Sequence, residues 1–205
     1  MADASAVNRF SDYAAAAPRP PWDIGRPQAA FVAAVERIGP RVLDVGCGTG
    51  DLANWLAAQG RTVTGVDFLA SPLEQARKKA AAAGVRPTFL QMDALAVGEI
   101  PERFDAVTDC GLFHTFDAAG RSAYVSALRK LLEPGARGFF LCFSTAEPGD
   151  HGPRRISEAE LRQAFADGWE IESIEPARFE VVPGVPGAEF TPGGAQAWFV
   201  QVRRA

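Results

Sequence analysis

The stretch Arg41-Val42-Leu43-Asp44-Val45-Gly46-Cys47-Gly48-Thr49-Gly50 is the most informative in the sequence. Its apolar first half reads as a buried strand. Three glycines at alternate positions follow, and 51–59 then carries Leu52, Trp55 and Leu56 on one helical face, ended by Gly60. A strand that turns through glycines into a helix brings its backbone close to a ligand, because glycine permits both the tight turn and the approach. The dinucleotide pattern G-x-G-x-x-G is broken, since Asp51 stands where glycine or alanine is required. A nicotinamide oxidoreductase is disfavoured on that ground.

Outward from this turn, apolar runs alternate with amphipathic stretches. Strands are expected at 62–67, 88–92, 104–109 and 138–144. Between them, Ser71, Pro72 and Glu74 read as a capping box with proline at the first helical position, and Gly84 closes that helix. The stretch 118–132 has helical spacing and is expected to stop at Pro134-Gly135. Ser157 and Glu160 form a second capping box, opening a helix to about Asp167. Strands at 169–174 and 197–202 flank a loop rich in proline and glycine at 176–194, and with no helix between them they are expected to pair antiparallel. The whole predicts an α/β domain over 31–205 built on a mostly parallel sheet, preceded by an arm or lid over 1–30.

Composition bounds the function. The chain has 205 residues, 47% hydrophobic and 22% charged, enough for one domain with a real core. No apolar stretch is long enough to span a bilayer, and MADASAVNRF has no apolar core of the signal-peptide kind. Three scattered cysteines exclude a disulfide scaffold and a four-cysteine zinc site, and no His/Cys/Asp cluster has metal-ligand spacing. A cytoplasmic setting is expected. The net charge of -4 argues against a nucleic-acid partner, which would call for a basic field.

Three aspartates share one geometry. Asp44, Asp67 and Asp93 each end or follow one of three successive strands, where open α/β sheets bind ligands. Asp44 would repel a pyrophosphate and attract a zwitterion bearing an ammonium and a sulfonium. The helix start near Gly50 favours that ligand's carboxylate. Asp67 is placed to accept both hydroxyls of a ribose, Phe68 to lie on an adenine face, and Asp93 to read the adenine amino group.

With these residues the chain resembles the class I S-adenosylmethionine-dependent methyltransferases. The resemblance runs from about residue 41 to the C-terminus. It rests on Asp44 to Gly50, Gly65-Val66-Asp67, Met92-Asp93-Ala94, Phe104-Asp105-Ala106-Val107 and Leu132-Glu133-Pro134-Gly135. It implies a Rossmann-like, doubly wound, mostly parallel seven-stranded sheet with a reversed last strand, and S-adenosylmethionine as cofactor. Gly46, Gly48 and Gly50 would then line its methionine part, with Cys47 beside them. Asp67 would hold the ribose, and Asp93 with Ala94 the adenine. Asp109, ending the fourth strand, is counted with the cofactor site and with the catalytic candidates. The last motif departs slightly, with Ala136 in place of a second glycine.

The acceptor is harder to read. Asp109-Cys110-Gly111-Leu112-Phe113-His114 lacks the paired prolines of enzymes that methylate adenine N6 or glutamine amides, and with the acidic charge this leaves a small molecule as acceptor. The arm Pro20-Pro21-Trp22-Asp23-Ile24-Gly25-Arg26-Pro27-Gln28 and the stretch Gly152-Pro153-Arg154-Arg155-Ile156-Ser157 are similar to small-molecule methyltransferases of the thiopurine, tellurite-resistance and mycobacterial heterocyclic-toxin kind. The resemblance implies methyl transfer to O, S or N of an aromatic or heterocyclic acceptor. Trp22 is either a lid or an anchor for the arm. His114 is the first choice for a general base or an acceptor-positioning group. His151 lies on a loop at the same rim. Phe113, Phe116 and Phe143 either sandwich a planar acceptor or pack in the core, and Arg154 and Arg155 either attract an anion or stay solvated. Rival readings are a C-methyltransferase on a quinone-like molecule, a protein or RNA methyltransferase with an extended groove, and a non-catalytic cofactor-binding module working with a partner. Oligomeric state is not legible.

Overall fold

The computed structural model describes residues 20–150, 152–184 and 189–205. His151 lies outside the described residues, as does the arm before Pro20. The elements run α1 (Ala29–Ala34), β1 (Arg41–Val45), α2 (Asp51–Ala58), β2 (Thr62–Asp67), α3 (Ala70–Ala83) and β3 (Thr88–Gln91), then β4 (Phe104–Cys110), α4 (Ala118–Leu131), β5 (Leu132–Phe143), α5 (Glu158–Ala164), β6 (Trp169–Phe179) and β7 (Ala195–Arg204).

They form a seven-stranded sheet in the order β3-β2-β1-β4-β5-β7-β6. Strands β1 to β5 pair in parallel, and β7 runs antiparallel to both of its neighbours, β5 and β6. The reversed last strand is therefore inserted beside the edge, as expected of a doubly wound Rossmann-like sheet. Neighbouring Phe139 and Phe140 on β5 point to opposite faces, as strand geometry demands, and each enters a different core. Phe140 packs with Leu128, Phe165 and Trp169 under α4 and α5, while Phe139 packs with Phe31, Leu56 and Leu73 under α1, α2 and α3.

Local chemistry explains most ends. Gly84 closes α3 at φ 68°, Asp117 caps α4 through the Gly120 N–H, and the Ser157–Glu160 capping box is formed. Three expectations are corrected. First, α3 starts at Ala70 with Leu69 in the capping position and no side-chain cap, so Ser71 and Glu74 form no box. Asp67 already holds the Leu69 N–H at 3.0 Å, so the chain turns before Ser71 is reached. Pro72 is tolerated in the first turn, where backbone N–H groups have no helical partner. Second, Pro134-Gly135 does not separate α4 from its strand. β5 begins at Leu132 and carries the pair through a bulge where its register on β4 shifts, with Gly135 at φ 84°. Third, β6 continues past Pro176 to Phe179, because an edge strand tolerates proline. Among the described residues no helix is long and apolar enough to cross a membrane, and no group of acidic, His or Cys side chains could hold a metal.

Candidate active site

The carboxyl ends of the parallel strands open into a cavity of about 280 Å³. This is near the small end of ligand pockets, roughly 300–1,000 Å³. One side is built by β1, β2, β3 and their loops. The Gly46 and Cys47 N–H groups donate to Val66 O at 2.8 and 2.9 Å, fastening the glycine turn to β2. Asp67 completes the fastening, with Oδ2 accepting from Gly48 N at 2.9 Å. Burial raises its carboxyl above the ordinary range, against the backbone N–H bonds from Leu69 and Gly48. The glycines divide their work. At Gly46 a Cβ would lie 3.0 Å from Leu112, whereas at Gly48 it would meet open space on the cavity side. Gly50 is corrected to a packing glycine. It is absent from the cavity wall, and a Cβ there would come within 2.6 Å of the Ala76 Cβ on α3.

Asp44 lies beneath this turn, 2% exposed and on the cavity wall. Its Oδ1 accepts from Thr108 Oγ1 at 2.7 Å, and its Oδ2 has no hydrogen-bond partner among the described residues. Burial raises its carboxyl to about 7, opposed by Thr108 and reinforced by Asp109 and Asp67. An orphaned buried carboxylate oxygen calls for a cation. Cys47 also lines the wall, and burial with the nearby carboxylates pushes its thiol far up, so it is no nucleophile. Phe68, Leu69, Met92 and Ala94 form the adjoining wall. Asp93 between them is exposed and outside it. Its Oδ1 accepts from Leu95 N at 2.9 Å and caps a short helical turn.

The other side is aromatic. Phe143, Phe179 and Phe190 line it together with Cys110, Leu112 and His114. The Phe143 ring meets those of Phe179 and Phe190 edge-on, at centroid distances of 5.3 and 5.1 Å. His114 is 4% exposed and its Nδ1 accepts from Phe143 N at 3.0 Å. Burial, and then the Arg155 charge, lower its pKa to about 3. The ring is therefore neutral, and with Nδ1 accepting, the proton sits on Nε2. It offers a donor, not a base.

Several candidates lie elsewhere. Phe113 is fully buried and stacks on Phe165 at 5.7 Å, and Phe116 packs against Tyr124, so both belong to the core. Asp109 is fully buried behind the wall, where its Oδ1 accepts from Leu112 N and Phe113 N at 2.9 and 3.1 Å. Burial raises its carboxyl to about 7. It shapes the turn that carries His114 and does not reach the cavity. Arg155 lies over the Phe143 ring, 5.6 Å from its centroid, and donates to the Pro153 and Pro148 carbonyls; its neighbour Arg154 is the one at the cavity.

Residues 20–28 cross over the cavity as a strap. Pro21 O accepts from Val182 N at 2.8 Å. The buried Gln28 amide donates to Glu180 O and accepts from Glu180 N at 2.9 and 2.8 Å, and Arg26 pairs with the Glu180 carboxylate. Trp22, on the strap, lines the cavity.

A family model described as a methyltransferase domain matches residues 42–135. The 2-heptyl-1-hydroxyquinolin-4(1H)-one methyltransferase of Mycobacteroides abscessus is 34% identical over 185 residues, which are 88% of this chain and 80% of that protein. The chain belongs to the S-adenosylmethionine-dependent methyltransferases. A solved structure from work on the conversion of a disulfide bond into a thioacetal group during echinomycin biosynthesis is 38% identical to this methyltransferase, with a TM-score of 0.80 over 91% of this chain and 85% of that one. Magnesium protoporphyrin IX methyltransferase from Synechocystis PCC 6803, solved with bound S-adenosylmethionine, shares the fold at 24% identity and a TM-score of 0.63, over 86% of this chain and 76% of that one.

The sequence reading of this methyltransferase passed over two groups. Phe179 and Phe190 lie within the proline- and glycine-rich stretch 176–194, and two large apolar residues there are the available signal. Asp23, Thr49, Asp51 and Lys79 meet across four segments, which no local pattern announces.

Proposed function

We propose that this methyltransferase methylates a small, flat heteroaromatic acceptor on a ring hydroxyl that is already ionised at neutral pH, so that no side chain need remove a proton. The observation that carries this reading is the His114–Phe143 hydrogen bond, which turns the histidine of the aromatic side into an N–H donor. An Nε2–H stabilises an oxyanion and cannot deprotonate a hydroxyl. The narrow cavity under the strap supports a small molecule over a protein or nucleic-acid acceptor, and the hydroxyquinolone relative supports the chemical class.

The residues present fit the cofactor. Asp44, with its orphaned Oδ2, would hold the ammonium, and Gly46, Cys47 and Gly48 would line the methionine part. Asp67 would take the ribose hydroxyls; each oxygen accepts one N–H already and keeps capacity for another bond. Phe68, Leu69, Met92 and Ala94 would hold the adenine. When bound, S-adenosylmethionine supplies a methyl group activated by a positive sulfur. The chain's own work is then alignment and water exclusion. Phe143, Phe179 and Phe190 hold the acceptor plane, the Nε2–H of His114 fixes its oxygen, and the Trp22 strap keeps water out.

A second reading, transfer to sulfur, is favoured by the 38% identical structure from thioacetal formation, since a thiolate likewise needs no base. A panel of hydroxyquinolones, arenethiols and aliphatic alcohols, assayed with methyl-labelled cofactor, tests both. Labelled hydroxyquinolone ether is expected. Label on thiols alone selects the second reading, and methylation of aliphatic alcohols overturns both.

A further inference from the structure

Besides its ties to Val182 and Glu180, the strap is held on the cofactor side by an electrostatic group. Asp23 on the strap and Asp51 at the start of α2 both line the cavity, with side chains 9% and 18% exposed. Lys79 reaches them from α3, its Nζ 2.6 Å from Asp51 Oδ1 and 3.9 Å from Asp23 Oδ1. Thr49, in the glycine turn, completes the group. Its hydroxyl donates to Asp23 Oδ2 at 2.9 Å and accepts from Lys79 Nζ at 2.7 Å. A hydroxyl has one proton, and this arrangement commits it to Asp23. One ammonium thus joins the strap, the glycine turn, α2 and α3.

We propose that Lys79 is a positioning residue for methyl transfer, holding the Trp22 strap closed over the cavity by neutralising Asp23 and Asp51 together. The inference rests on the reading that the acceptor lies beneath the strap. Its force comes from what the two carboxylates do without the ammonium. They are close and largely withdrawn from water, where like charges repel strongly. Asp51 already feels this balance. Burial raises its carboxyl, Lys79 opposes the rise, and Asp23 adds to it. The repulsion is relieved most readily at Asp23, because the strap packs over the domain while Asp51 is fixed in a helix. Loss of Lys79 therefore loosens the strap at Trp22 and Asp23, between the Pro21–Val182 and Gln28–Glu180 ties, which stay in place. Since His114 offers a donor rather than a base, closure is the main means of catalysis among the described residues, and an open strap also holds the acceptor less tightly, so the effect is expected in acceptor KM as well as in turnover.

The test compares full-length wild type, Lys79→Met, Lys79→Arg and Lys79→Met/Asp23→Asn. Chymotryptic cleavage after Trp22, followed by mass spectrometry under native conditions, reads the strap without any acceptor. Cleavage is expected to be about tenfold faster in Lys79→Met, the scale of one charge-assisted bond. It should return towards wild type in Lys79→Arg and partly in the double variant. With acceptor, KM should rise by a similar factor while the melting temperature stays close to that of wild type. Cleavage at the wild-type rate in Lys79→Met overturns the proposal, as does a fall in melting temperature with unchanged KM. Asp23→Asn, which leaves α3 intact, should speed the same cleavage and keeps the test valid if Lys79→Met folds poorly. No turnover in wild type on any acceptor would defeat the proposed function, while the cleavage comparison would still decide Lys79.

Discussion

The two sides of the cavity are built in opposite ways. The side at β1 and β2 is nearly continuous in sequence. Residues 44–49 and 67–69 supply most of it, and backbone N–H groups of the glycine turn are held by Val66 and Asp67. The side at β4 and β5 is assembled from distant pieces: His114, Phe143, Phe179, Phe190 and Trp22. The first is polar and carries a carboxylate oxygen unmatched among the described residues; the second is aromatic and carries a fixed imidazole donor. A grip for an invariant charged molecule can be encoded locally, whereas a pocket for a variable flat molecule draws on loops that change freely.

Asp67→Ala should break the first side most severely. It removes the acceptor for Gly48 N–H and Leu69 N–H as well as the proposed ribose partner, and S-adenosylhomocysteine binding by calorimetry is expected to weaken by roughly 1.5–3 kcal/mol. Unchanged affinity would remove Asp67 from the site.

Asp44→Asn should weaken cofactor binding by about 1–2 kcal/mol and yet stabilise the free protein at alkaline pH. The sign follows from linkage. Asp44 titrates at about 7 instead of 3.8, so its folded form holds a proton that the unfolded chain has already lost. That contribution to stability is fully present below about 3.8 and is lost progressively as pH rises from there to about 7. Asp109, also at about 7, changes stability in the same direction in both proteins. Asparagine has no such loss, so the melting temperature of the variant should exceed that of wild type at pH 8 by a few degrees, roughly 2–4 °C per kcal/mol. The gap should narrow at pH 5 and close only below about pH 4. A gap that widens at low pH would contradict the assignment.

Phe190→Ala sharpens the contrast from the other side. Its half-buried ring meets Phe143 and lines only the aromatic wall, so acceptor KM is expected to rise about three- to tenfold while S-adenosylhomocysteine affinity stays within about twofold. A parallel loss of cofactor affinity would mean that the two sides are not separate.

The same contrast explains what was legible in the sequence. The strand at 41–45, the glycine turn, the strand at 62–67, the Ser157–Glu160 box and the antiparallel closing pair could be read because each depends on neighbours a few residues away. The errors sit where a tertiary partner decides. Phe113 and His114 are adjacent, yet the short turn sends one ring into the core and the other to the cavity. Arg154 and Arg155 divide in the same way. Gly50 belongs to the family motif but faces Ala76 on another helix, a contact invisible to any pattern. Composition names the candidates at such positions, and packing chooses among them.

A cofactor grip facing a pocket whose His114 donates a proton rather than taking one is tested most directly by the pH dependence of single-turnover methyl transfer at saturating cofactor with two hydroxyquinolones of different acidity. The rate is expected to rise with ionisation of each acceptor, so the inflection moves with the acceptor's own pKa. An inflection at the same pH for both acceptors, lost in His114→Gln, would make His114 the base and contradict this expectation.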